Sequence, residues 1–263
     1  ANVIDLDAAR DNDVDPLYIR DRLDLSKRMA GIIADVRKVA ELPDPVGEEF
    51  DARVLDNGLK VHKRRTPLGV LGVIYEARPN VTVDIVSLAL ATNNAVILRG
   101  GSDVINTNIM LVNILKDALK TSGLPVDAIQ FIESTDRTYV GEMLKLHDYI
   151  DMIIPRGGNA LHNFCRENST IPVITGGIGI CHLYVDATAK QDDALAIIHN
   201  AKTQRPAVCN ALDTLLVNAD VAAEFLPRVV DHLGADDVTF RADPRSMEVI
   251  GDNARVTAAG AED

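Results

Sequence analysis

The residues best suited to chemistry fall in three groups. One is the string Asn200-Ala201-Lys202-Thr203-Gln204-Arg205-Pro206-Ala207-Val208-Cys209-Asn210-Ala211. A cysteine that follows a polar, proline-containing loop and precedes the apolar run Leu215-Leu216-Val217 suits an accessible nucleophile. Lys202 and Arg205 nearby favour its thiolate. The competing reading of Cys209 is a small buried hydrophobe, which is also the reading for Cys165 and Cys181. The second group is Arg78-Pro79-Asn80, between an apolar strand and a helix. The Asn80 amide can donate to a developing oxyanion, or it can cap the helix. The third group is the pairs Gly100-Gly101, Gly157-Gly158 and Gly176-Gly177, each after a strand. Glycine there lets backbone approach a ligand closely, and the pair at 157–158 opens a helix whose N–H groups can hold a phosphate. Each pair taken alone also reads as a tight strand–helix turn. Neither GxGxxG nor GxxxxGK[ST] occurs, and no Cys/His cluster has metal-ligand spacing, so no metal is expected.

These residues need elements to hold them. From Pro67 onward, apolar runs alternate with helical patterns. Strands are expected at 69–75, 95–99, 129–132, 149–154, 172–174, 181–185 and 215–217. Helices are expected at 82–92, 106–122, 137–146, 159–167 and 190–202. Runs without polar interruption imply strands covered on both faces, and strand–helix alternation implies a parallel α/β sheet with ligands at strand C-terminal ends. Before Pro67, residues 17–42 read as one or two helices, with Ser26 as a candidate cap. Asn57-Gly58 then reads as a hairpin turn with both residues at positive φ. The strand after it is basic: Lys60, Lys63, Arg64 and Arg65. It reads either as a protected edge or as a ribbon that pairs with another subunit.

Composition narrows the function classes. The 263 residues are 47% hydrophobic and 25% charged, the balance of a folded globular chain. The net charge of −12, the 4% aromatics and the lack of tryptophan argue against nucleic acid and anionic membrane surfaces. Residues 1–51 hold 13 acids and 7 bases, and residues 231–263 hold 8 and 3, so the middle is nearly neutral. Three cysteines make no paired disulfide framework, and no apolar run approaches the ~20 residues of a membrane helix, so a cytoplasmic protein is expected.

Four stretches, 67–101 (PLGVLGVIYEARPNVTVDIVSLALATNNAVILRGG), 149–158 (YIDMIIPRGG), 169–186 (STIPVITGGIGICHLYVD) and 200–210 (NAKTQRPAVCN), together resemble the gamma-glutamyl phosphate reductase family of the aldehyde dehydrogenase superfamily. The resemblance covers nearly the whole chain and is fainter in the acidic ends. It implies an aldehyde-dehydrogenase-like α/β fold. Residues 1–51 and 67–202 would form the NADP-binding domain, 52–66 an oligomerisation hairpin, and 203–263 the start of a catalytic domain. It implies NADPH-dependent reduction of L-glutamyl 5-phosphate to L-glutamate 5-semialdehyde in proline biosynthesis.

Carried over residue by residue, the resemblance makes Cys209 the nucleophile that expels phosphate and forms a thioester, which hydride from NADPH then reduces. Asn80 matches the oxyanion-hole asparagine. Arg99 and Ser102 stand where relatives contact the adenosine ribose. Serine in place of a glutamate leaves room for a 2′-phosphate, and Arg99 would supply charge. Gly157 and Gly158 match the pyrophosphate turn, and Gly177 lies near the nicotinamide. Arg78 and Arg205 are charge-compatible candidates for the substrate. Ile174 stands where hydrolytic aldehyde dehydrogenases carry a glutamate that activates water, so the thioester is spared hydrolysis.

The resemblance also implies a homo-oligomer and association with glutamate 5-kinase. Only 54 residues follow Cys209, and the chain opens on Ala1, so a piece of a longer enzyme is expected. The alternatives are a related acylating semialdehyde dehydrogenase, or an inactive fragment that serves only as a binding module.

Overall fold

The computed structural model describes residues 1–176, 179–206 and 208–261. The chain divides into two compact units, Ala1–Gly177 and Ile178–Asp263.

The first unit opens with helices. α1 (Asn2–Asp11) and α2 (Pro16–Tyr18) lead into a π turn, Ile19–Leu23, and then α3 (Met29–Glu41). The expected Ser26 cap is not formed. The N-cap of α3 is Arg28, without a side-chain bond, and Ser26 instead donates its N–H to Asp24. An antiparallel hairpin follows, β1 (Glu49–Val54) and β2 (Lys60–Arg64). It therefore begins before residue 52. Of its turn residues only Gly58 has positive φ. Gly58 N–H donates to Leu55 O and Leu55 N–H to Leu59 O, the pattern of a type I turn closed by a glycine bulge rather than a two-residue I′ turn. Lys63 pairs with Asp51 and His62 lies near Glu49, so acids on β1 answer much of the basic charge on β2.

The centre of this unit is a parallel sheet. Its strands are β3 (Val70–Tyr75), β4 (Ala95–Arg99), β5 (Ile129–Phe131) and β6 (Met152–Arg156), in the order β5-β4-β3-β6. The connecting helices are α4 (Asn80–Ala91), α5 (Ile105–Thr121), α6 (Thr138–Met143) and α7 (Asn159–Asn168). Alternation along β3 sends Leu71, Val73 and Tyr75 to one face, against Val86 and Ala89 of α4 and Val112 and Leu119 of α5. Ile74 faces the other way, into a cluster with Val140 and Met143 of α6 and Cys165 of α7. Both faces are thus covered, which is why these strands read as continuous apolar runs. Residues 172–174 do not form a strand of their own. Val173 makes a single parallel bridge to Ile153.

The second unit pairs β7 (His182–Val185) with β8 (Thr214–Val217) in parallel. α8 (Gln191–Thr203) and α9 (Ala219–Gly234) cover them through Ile198, Phe225, Val229 and Leu233. β9 (Phe240–Ala242), α10 (Pro244–Ile250) and β10 (Val256–Ala258) complete it. β7 and α8, which the sequence groups with the cofactor domain, pack in this unit because β7 bonds to β8 beyond the cysteine loop. Among the described residues no helix is long and apolar enough to cross a membrane.

Candidate functional site

The strand order fixes where a ligand can enter the first unit. Chain direction from β3 runs outward through β4 to β5, then returns to place β6 on β3's other side. The C-terminal ends of β3 and β6 flank this switch point, where open α/β sheets bind ligands. Glu76 N–H donates to Arg156 O at 3.0 Å, which holds the two strand ends together.

Gly157 and Gly158 lie just beyond, and Gly158 is the N-cap of α7. A Cβ on Gly157 would stand 2.6 Å from the Glu76 carboxylate. Gly158 N–H donates to Glu76 Oε1 at 3.0 Å. The helix end therefore already holds an anionic oxygen, the chemistry a phosphate would bring. Gly101 also passes close to backbone, since a Cβ there would lie 3.0 Å from Ala77 N. Glycine at both positions thus lets Glu76 and the Glu76–Ala77 backbone pack closely, and the N-terminal end of α7 is the feature whose chemistry suits a dinucleotide phosphate. Gly176 N–H reaches His162 Nδ1 at 3.3 Å, and Gly177 lies outside the described residues.

Arg99 ends β4 but does not present its charge. It is buried, with Nη1 on Gly100 O at 3.0 Å and Nη2 on Thr135 O at 2.9 Å. Its Nε has no partner among the described residues, and burial holds its pKa below the usual guanidinium value. Ser102 is exposed, and its hydroxyl donates to Asp103 at 3.1 Å. The exposed cation beside Arg99 is Arg137, which the sequence reading did not single out.

Asn80 is the first residue of α4, and Pro79 is the N-cap, so Asn80 does not cap the helix. Its Oδ1 accepts from Arg28 Nη2 at 2.6 Å, and its Nδ2 donates to Asp84 Oδ2 at 2.9 Å. The two contacts fix which way the amide faces and leave its second N–H for another acceptor. Burial raises the Asp84 pKa, and the Asn80 bond opposes that shift. Arg28 lies 52 residues upstream, so no local spacing could reveal it. Arg78 is half-buried, with its N–H on Glu76 O at 2.7 Å.

In the second unit, Cys209 is exposed on a turn between α8 and β8. Val208 O accepts from Ala211 N–H at 3.1 Å, and Leu212 N–H returns to Ala201 O at 2.9 Å. Lys202 Nζ is fixed on Leu212 O at 3.0 Å, whereas Arg205 is exposed. Cys181 precedes β7, half-buried rather than fully buried, and its Sγ lies 3.4 Å from Cys209 O. Cys165 is the inert case: it is fully buried, and burial pushes its thiol pKa up.

Known proteins share this fold and much of this sequence. The sequence profile of the aldehyde dehydrogenase family matches residues 23–246. The chain is 55% identical to a gamma-glutamyl phosphate reductase of Psychromonas ingrahamii over 99% of its length, covering 63% of that protein. It is 56% identical to one from Roseiflexus castenholzii over 95% of its length, covering 59%. The crystal structure of gamma-glutamyl phosphate reductase from Thermotoga maritima superposes with a TM-score of 0.89 at 41% identity, over 99% of this chain and 62% of that one. The chain thus spans about three fifths of the length of these relatives. Its parallel sheet is an NAD(P)-binding fold. The chain belongs to the aldehyde dehydrogenase family, and the relatives it matches along its length are gamma-glutamyl phosphate reductases.

Proposed function

We propose that the protein carrying this chain reduces L-glutamyl 5-phosphate to L-glutamate 5-semialdehyde with NADPH, releasing phosphate, in proline biosynthesis. The observation that carries this reading is the exposed Cys209 within a chain 55% identical to a gamma-glutamyl phosphate reductase over nearly its whole length. In this reading the Cys209 thiolate attacks the acyl carbon, the C–O bond to phosphate breaks, and a thioester remains. On the resemblance, Asn80 is assigned as a donor to the oxygen that becomes negative during that attack. NADPH, when bound, would supply hydride to the acyl carbon; the C–S bond then breaks, the aldehyde leaves, and Cys209 is released as the thiolate. The backbone N–H of Gly158 and the end of α7 would hold the dinucleotide phosphates, while Gly157 and Gly101 let Glu76 and the Glu76–Ala77 backbone pack against that end. Gly177 is assigned to the nicotinamide side. Ile174 brings no base to activate water, so the thioester passes to reduction rather than hydrolysis.

NADP in place of NAD rests on Ser102, a small residue with no fixed charge at the ribose position. Arg99 would have to leave two backbone carbonyls to reach a 2′-phosphate, so Arg137 is the stronger source of charge. Arg78 and Arg205 are assigned to the substrate carboxylates. The hairpin is assigned to a homo-oligomer interface, because Val54 and Leu59 expose 66% and 56% of their surface near its tip. Association with glutamate 5-kinase would shorten the path of a labile acyl phosphate. Three free thiols accord with a reducing cytoplasm.

The test is Cys209→Ser in the full-length enzyme. It should abolish phosphate-dependent NADPH formation from glutamate 5-semialdehyde while leaving NADPH binding intact. Activity near wild type would overturn the assignment.

A further inference from the structure

We propose that Cys181 is a resolving thiol for Cys209, so that mild oxidation by a hydroperoxide closes a reversible Cys181–Cys209 disulfide. The chain has three cysteines. Cys165 is sealed in the core of the first unit, whereas Cys181 and Cys209 both reach solvent in the second. They are 28 residues apart in sequence, yet Cys181 Sγ lies 3.4 Å from Cys209 O. A carbonyl oxygen sits about 2.4 Å from its own Cα. Cys181 Sγ is therefore within roughly 6 Å of Cys209 Cα. In a disulfide each sulfur lies about 4 Å from the partner's Cα, so closure requires the exposed Cys209 turn to move by up to roughly 2 Å and to swing its own sulfur toward Cys181.

The two backbones differ in how firmly they are held. Cys181 O accepts from both Asp213 N–H and Thr214 N–H at 3.0 Å, which anchors it at the start of the β7–β8 ladder. Cys209 stands on an exposed turn, outside any helix or strand. The neighbouring Gly179 places no side chain beside the pair. A Cβ there would lie 3.8 Å from both Cys181 Sγ and Cys209 O.

The chemistry balances in two steps. The Cys209 thiolate attacks the outer oxygen of the hydroperoxide; the O–O bond breaks, an S–O bond forms, and an alkoxide or hydroxide leaves. Sulfur is oxidised by two electrons and the peroxide reduced by two. The Cys181 sulfur then attacks the sulfenic sulfur, an S–S bond forms, the S–O bond breaks, and hydroxide departs with the Cys181 proton as water. The bond does not depend on the catalytic reading, but the loss of activity that would follow from it does.

The experiment treats the full-length enzyme with hydrogen peroxide, denatures it, alkylates it and maps its peptides. The expected result is a peptide containing Cys181 linked to one containing Cys209 within the same molecule, with Cys165 alkylated. A dithiol should restore alkylation of both residues. In Cys181→Ser, the sulfenic acid on Cys209 should persist and be trapped by a cyclic diketone. Sulfinic acid on Cys209 with Cys181 still alkylated in the wild type would overturn the inference, as would a disulfide between two molecules. Formation of the intramolecular disulfide with activity retained would support the bond and overturn the catalytic role of Cys209.

Discussion

At the scale of single residues, Asn80 shows how a common side chain becomes specific. An amide can rotate to present oxygen or nitrogen, and only its neighbours decide. Arg28 holds the oxygen at 2.6 Å and Asp84 one N–H at 2.9 Å, so the remaining N–H points in a defined direction. In the proposed reaction this orients the oxyanion donor. Asn80→Ala should lower kcat by roughly 10²–10³, the usual loss for one such donor. Arg28→Ala should lower kcat by about tenfold through misorientation, with KM nearly unchanged. Arg28→Lys should recover part of that loss. Steady-state kinetics on the full-length enzyme decide it. A change in KM alone would make Arg28 a binding residue instead. Asn80 could be picked out in the sequence by its place after an apolar strand. Arg28 could not, because the π turn and α3 deliver it across 52 residues.

At the scale of elements, the sheet was legible because its strands are covered on both faces and 10 of their 19 residues are Val, Ile or Leu. The ends of elements were less legible. Asp24 competes for the Ser26 N–H and postpones α3 to Met29, and Asn57 and Gly58 settle on a bulged turn that needs only one positive φ. Glycine positions inside elements carry consequences that no motif announces. Gly72 in β3 faces α6, and a Cβ there would lie 2.7 Å from Ile153 Cδ1 and 2.8 Å from Met143 Cε. Gly72→Ala should therefore overpack this face and cost about 1–3 kcal/mol in urea unfolding. A neutral result would mean that Met143 repacks freely. The end of α7 gives a second consequence. The Glu76 carboxylate bonds the same Gly158 N–H that a dinucleotide phosphate would use. Glu76→Gln removes a like charge from that spot and should tighten NADPH binding several-fold, read by fluorescence titration. An unchanged Kd would place the pyrophosphate elsewhere.

At the scale of the whole molecule, charge and capping set opposite responses to acid. The net charge of −12 repels itself at neutral pH, and protonation relieves that strain as pH falls. Asp84 works in the same direction, because burial raises its pKa in the folded state and its charged form is relieved on protonation. Four aspartates work against this. Backbone N–H groups of Ser26, Thr138 and Thr188 hold Asp24, Asp136 and Asp186 below the usual carboxylate pKa, and the Ser246 hydroxyl does the same for Asp243. A carboxylate with a depressed folded pKa stabilises the fold above its unfolded pKa, near 4, and that contribution is lost as pH falls through the folded value. These groups are exposed, so each contributes little and only their sum is measurable. Melting temperature should therefore hold or rise from pH 7 to about 5, then fall below about pH 4. Asp186→Asn with Asp243→Asn should lower it at pH 7 and flatten the acid limb, since amides keep a turn acceptor but not the charge. An acid limb as steep as that of the parent would assign the loss to other carboxylates.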